Sequence, residues 1–154
     1  MEKRINFLEN GQQAISALYG IGKYLSRSSV NKSLLHLLEF RVSQINGCAY
    51  CLDMHAKDLR AGGETEQRLY LLDAWRESPF YSASERAALA WAEAITKVPN
   101  GVVPDDVYEE ATKHFTEQEL IDLTMAIVGT NCWNRINIAF GAPVGTYQVG
   151  QWKQ

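Results

Sequence analysis

The chain has 154 residues, is 46% hydrophobic and 21% charged, and carries 18 acidic against 15 basic side chains for a formal net charge of -3. This composition excludes a disordered chain, and the mild acidic excess leaves no electrostatic footprint for nucleic acid. No window approaches the roughly 18 apolar residues of a membrane span, and Met1-Glu2-Lys3-Arg4-Ile5-Asn6 has no apolar signal-peptide core behind it. A cytoplasmic protein with neither nucleic-acid nor membrane partners is expected. Three cysteines, an odd number, argue against a secreted disulfide scaffold.

No repeat or low-complexity linker divides the chain, so residues 1–154 read as a single domain. The first helix follows Asn10, with Ile15, Leu18, Tyr19 and Leu25 at helical spacing. Gly20, Gly22 and the serines at 26–29 weaken its second half. A second helix runs from about Lys32 to Gln44, with Leu34, Leu35, Leu38, Val42 and Ile45 on its apolar face. Asn46-Gly47 is a stop signal, since both tolerate left-handed backbone angles. A third helix opens at Cys48 and ends at Gly62-Gly63. A fourth begins with Thr65 as N-cap, carries Leu69, Leu72 and Trp75 inward, and ends at Ser78-Pro79.

Ser82-Ala83-Ser84-Glu85 is a capping-box pattern before a helix with a wide band of Ala87, Leu89, Ala90, Trp91, Ala94 and Ile95. A loop at Val98–Val103 follows. Pro104-Asp105-Asp106 starts a short helix to about Phe115. Thr116-Glu117-Gln118-Glu119 is a second capping box, opening a helix to about Phe140 with a break expected near Gly129. The tail from Gly141 reads as irregular. Strand-like alternation is missing, so the expectation is an all-α packing of about seven helices.

Residues 43–55 hold the pattern C-x2-C-x3-H. On a helix, Cys48, Cys51 and His55 share one face. The cysteines fall in the first turn, where unpaired backbone N–H groups favour a thiolate. His55, one turn deeper, is placed to take a thiol proton. The chemistry this favours is attack on a peroxide or disulfide, followed by closure of a Cys48–Cys51 bridge. The same spacing suits zinc, with His36 or Cys132 as a fourth ligand, although no second CxxC and no H-x3-H accompany it. A pair of inert buried cysteines is a third reading.

Elsewhere, Cys132 reads as a packing cysteine, and Trp75, Trp91 and Trp133 as core or interface aromatics. Tyr50 fits either the approach to Cys51 or a subunit contact. Asn134-Arg135 suits a partner carboxylate or a helix cap, and Asn137 has no assigned role.

The block S-Q-I-N-G-C-A-Y-C-L-D-M-H at 43–55 resembles the AhpD-like alkylhydroperoxidase branch of the carboxymuconolactone decarboxylase superfamily. The stretches Ala61–Leu69, Leu72–Trp75, Glu85–Trp91 and Asn131–Asn137 carry the same likeness, which covers about residues 30–140. The resemblance implies an all-α fold, a homo-oligomer (a trimer or hexamer), no cofactor, and thiol peroxidase chemistry on a hydroperoxide with a thiol or dithiol reductant. Carried over by position, Cys51 attacks, Cys48 resolves and His55 relays protons. The branch also uses a relay glutamate twelve residues before the first cysteine, where this chain has His36; Glu39, one turn on, is the candidate substitute. The alternatives are a redox-sensing or zinc-binding oligomer and a lactone decarboxylase.

Overall fold

The computed structural model describes residues 4–152; the sequence expectation for Met1–Lys3 lies outside these. Among the described residues there are eight α-helices and no strand. Helix α1 (Phe7–Asn10) is a single turn that the sequence did not announce. It is pinned to the far end of the chain: Phe7 packs on Phe140 at 5.6 Å between ring centroids, and Arg4 donates to the Ala139 carbonyl at 2.6 Å. Helix α2 (Gln12–Leu25) runs through Gly20 and Gly22 without interruption.

Helix α3 (Lys32–Asn46) starts at Asn31, whose side chain accepts from the Ser33 amide, and stops at Gly47 with φ +69°. The Cys48 amide then donates back to the Ser43 carbonyl at 3.1 Å, the closing bond of a Schellman turn. Cys48 is at once the N-cap of α4 (Ala49–Ala61), so no linker separates the two helices. Helix α5 (Glu66–Leu71) is capped by Thr65 as expected but tightens into a 3₁₀ turn at Leu72–Ala74. The expected longer helix fails for a geometric reason. Leu69, Leu72 and Trp75 are spaced by three, the repeat of a 3₁₀ helix, and all three are buried.

Both capping boxes are present, Ser82 with Glu85 before α6 (Ala83–Lys97) and Thr116 with Glu119 before α8 (Glu117–Phe140). Between them lie a 3₁₀ turn at Pro99–Gly101 and α7 (Asp105–His114). The expected break in α8 is absent, and Gly129 has another purpose. A Cβ there would stand 3.1 Å from Ile21 Cγ2, so the missing side chain lets α2 lie close against α8. The tail beyond α8 forms turns, yet its Tyr147 is buried.

Helix α3 occupies the middle of the packing, against α8, α4 and α6. Leu37, Leu38 and Val42 from α3 meet Leu72, Leu89, Leu123 and Ile127 in the core. One ionic cluster sits within it. Glu93 accepts from Arg41 at 2.8 and 3.0 Å, from Trp75 at 2.9 Å and from Arg76 at 2.8 Å. Arg41 also reaches Gln44 and Asp73. Burial by itself would raise the Glu93 carboxyl, but these donors outweigh it and hold it at about 2.

A depressed carboxyl stabilises the fold above its ordinary range, near 4.5, and that contribution is lost as pH falls towards 2. Glu93→Gln leaves buried Arg41 with only the exposed Asp73 as counter-charge and should cost about 1–3 kcal/mol in urea unfolding at pH 7. The gap between wild type and variant should narrow as pH falls from 4.5 to 2. A gap that stays constant over that range would refute the assignment.

Candidate active site

The joint between α3 and α4 places the cysteines. Cys48 has extended backbone angles, φ -82° and ψ 95°, and so caps α4 instead of riding in its first turn. Its sulfur accepts from the Cys51 amide at 3.4 Å, the position of an ordinary side-chain cap. Cys48 and Cys51 form a disulfide with Cα atoms 5.3 Å apart, and both are buried. His55 follows Cys51 by one turn on the buried side of α4.

The opposite wall comes from α3. Glu39 Oε2 lies 3.0 Å from His36 Nδ1 and 3.6 Å from His55 Nδ1, so one carboxylate oxygen is shared by two imidazoles. The side chains grow more exposed outwards: His55 11%, Glu39 22%, His36 47%. Burial pulls the His55 pKa down and favours its neutral ring, although the Glu39 charge opposes this. The hydrogen bond from His36, with the charge of both rings, overcomes burial and lowers the Glu39 carboxyl. The same hydrogen bond raises His36. Glu39 is therefore an inward-facing group, whereas Arg41 turns away to Glu93.

The third wall, α8, contributes a residue to which the sequence assigned no role. Asn137 Nδ2 donates to Cys51 Sγ at 3.3 Å, and Asn137 is buried. Asn134, one turn earlier, is fully buried; it donates to Ser43 Oγ at 3.0 Å and accepts from Asn46 at 2.9 Å. These amides clamp α8 to the end of α3, which aims Asn137 at the disulfide. The hints in the sequence are the family likeness of the stretch Asn131–Asn137 and the spacing of Asn134 and Asn137, three apart on one helical face. Arg135 is exposed and donates to the carbonyl and side chain of Asn131 on its own helix.

The tail completes the site from outside. Tyr147 Oη donates to Asp58 at 2.8 Å, and burial together with that bond pushes its phenol up to about 12. Gly145 and Lys57 both donate to Asp53, and Trp152 donates to Tyr50 Oη at 3.0 Å.

In this structure the cysteine sulfurs are bonded to each other, and the metal-ligating cluster found among the described residues is His36, Glu39 and His55. The reading of Cys132 as a buried packing residue needs correction. Cys132 is only half-buried and lies on a shallow surface hollow with Val128 and Arg135, apart from this cluster. Trp75 and Trp91 are core residues, whereas Trp133 is half-buried against Tyr19.

Comparison with known proteins identifies the family and the fold. Residues 11–94, more than half of the chain, match the profile of the carboxymuconolactone decarboxylase family. The uncharacterized protein YdfG of Bacillus subtilis is 44% identical over 92% of this chain and 96% of its own length. A crystal structure from Agrobacterium tumefaciens, of a protein of unknown function described as a candidate AhpD antioxidant-defence protein, superposes with a TM-score of 0.89. It is 38% identical and covers 95% of this chain and 100% of its own. The debrominase Bmp8 shares the fold at a TM-score of 0.77 and 22% identity, over 90% of this chain and 74% of its own. The chain belongs to the carboxymuconolactone decarboxylase family, in its AhpD-like branch.

Proposed function

We propose that the protein is a thiol-dependent peroxidase that reduces hydroperoxides and is recycled by a thiol or dithiol reductant. One observation carries this reading. A buried cysteine pair capable of a disulfide lies on the same helix as His55, and from His55 a line of titratable groups leads through Glu39 and His36 to solvent. Thiol chemistry on a peroxide needs both parts, a sulfur nucleophile and a path for protons.

In the reduced enzyme, the Cys51 thiolate attacks the distal peroxide oxygen. The O–O bond breaks, Cys51 becomes a sulfenic acid, and the leaving alkoxide takes a proton to become an alcohol. The Cys48 thiolate then attacks the Cys51 sulfur. The S–O bond breaks, hydroxide leaves as water with a second proton, and the disulfide closes. Two electrons from an external dithiol, itself oxidised to a disulfide, reopen the pair. His55 handles the protons at the sulfurs, and Glu39 and His36 exchange them with water. Glu39 thus takes over the bridging place of the branch's relay glutamate from one turn further along α3. Asn137 supports Cys51 as the attacking residue, since an amide N–H aimed at sulfur favours its anionic form. With both sulfurs buried, the peroxide reaches Cys51 through a local opening.

We also infer a homo-oligomer. Ile121 and Val128, two turns apart on α8, and Tyr108 on α7 are exposed apolar residues that suit a subunit contact.

Peroxide consumption with a dithiol reductant tests the reading. Cys51→Ser should abolish turnover, whereas Cys48→Ser should still show one thiol oxidised to sulfenic acid by mass spectrometry. Full turnover by Cys51→Ser would overturn the assignment of roles. His55→Ala removes the general acid–base and should slow turnover by about 10²–10⁴-fold while leaving the disulfide able to form with a strong oxidant. For Asn137→Ala, loss of one bond to a charged sulfur costs about 1.5–3 kcal/mol and should slow peroxide attack by roughly 10–100-fold. The pH midpoint for alkylation of Cys51 should rise with it. An unchanged midpoint would show that Asn137 only packs.

A further inference from the structure

Glu39 Oε2 is hydrogen-bonded to His36 Nδ1 at 3.0 Å, and His55 Nδ1 faces the same oxygen at 3.6 Å, beyond hydrogen-bonding distance. One donor atom each from His36, Glu39 and His55 lies within 4.8 Å of the other two. Zinc-class ions hold imidazole nitrogen and carboxylate oxygen at about 2.0–2.2 Å, so neighbouring donors in a tetrahedral shell stand about 3.3–3.5 Å apart. The distances from Oε2 to the two Nδ1 atoms, 3.0 and 3.6 Å, bracket that edge. Two histidines and one carboxylate form a recurring ligand set for such ions, with the remaining positions left to water or a substrate.

The framework also suits an ion. His36 and Glu39 are one turn apart on α3, and His55 projects from α4, which the Gly47–Cys48 joint fixes against α3. A site on rigid helices needs little ordering when the ion arrives. The carboxylate with two neutral rings carries one net negative charge. His36, half-exposed, opens the cluster to solvent, so an ion has a way in. In the disulfide form the cysteines take no part, because no thiolate is left to compete for the metal.

We propose that His36, Glu39 and His55 form a binding site for one divalent transition-metal ion of the zinc class. Binding does not depend on the peroxidase reading. Its consequence rests on that reading: an ion on these donors occupies the lone pairs that would carry protons, so the loaded enzyme is switched off and a chelator restores it.

The test uses EDTA-stripped protein in the disulfide form, titrated with Zn²⁺ against a chromophoric chelator. One zinc per chain should bind. His36→Asn and Glu39→Gln should each weaken it at least tenfold, and circular dichroism should show both variants folded. The double variant Cys48→Ser/Cys51→Ser should bind like wild type, and Co²⁺ in the site should show ligand-field bands without a thiolate charge-transfer band. Absence of saturable one-to-one binding would overturn the site, as would equal affinity in His36→Asn and Glu39→Gln, or loss of binding in the cysteine variant. In a peroxide assay, one equivalent of Zn²⁺ should suppress turnover at least tenfold, reversibly with EDTA. Unchanged turnover of the loaded protein would refute the switch. Tight zinc binding by a protein with no turnover under any condition would sustain the site and refute the peroxidase reading instead.

Discussion

The left-handed turn at Gly47 is the constraint on which the site depends. A helix must end there and another begin at the next residue, because Cys48 both closes the Schellman turn and caps α4. A Cβ at position 47 would meet nothing within 4 Å, so the demand for glycine comes from φ +69° alone. The reversal sets α4 against α3 and brings His55 to the carboxylate of Glu39, sixteen residues earlier in sequence. A linker of even a few residues would uncouple the cysteines on α4 from His36 and Glu39 on α3.

Much of this was legible before the structure. Helix starts were readable because Thr65, Ser82 and Thr116 declare themselves by side-chain chemistry that acts within three residues. The helix stop at Asn46-Gly47 was readable for the same local reason. The failures share a cause in tertiary contact. Gly129 looks like a weak point along its own helix, and only the closeness of Ile21 on α2 gives it a purpose. Leu69, Leu72 and Trp75 look like a helical stripe until Trp75 is drawn to Glu93 across the core. The single turn of α1 exists because Phe140 and the end of α8 hold it there.

The candidate site divides along the same line. Cys48, Cys51 and His55 stand within eight residues; helix geometry puts Cys51 and His55 on one face, and the N-cap turn brings Cys48 to Cys51. His36 and Glu39 were nameable as neighbours on α3, but that both rings share one oxygen depends on the angle between two helices. Asn137 belongs to a helix some ninety residues away (86 from Cys51), and no local pattern singles out one asparagine among several. What aims it is the polar clamp of Asn134, Ser43 and half-buried Asn46, in which fully buried Asn134 and Ser43 satisfy one another.

The tail has a mechanical consequence. It touches α4 at Tyr50, Asp53, Lys57 and Asp58, nearly the whole length of the redox helix, and its anchor Tyr147 is as buried as a core residue. Opening the disulfide changes the distance that two sulfurs at the head of α4 prefer, and a free helix would answer by tilting or fraying. A helix splinted along its outer side resists both. In the proposed redox cycle such a splint directs movement to the joint at Gly47-Cys48 and the first turn of α4, and it holds the part of the helix that carries His55 against α3.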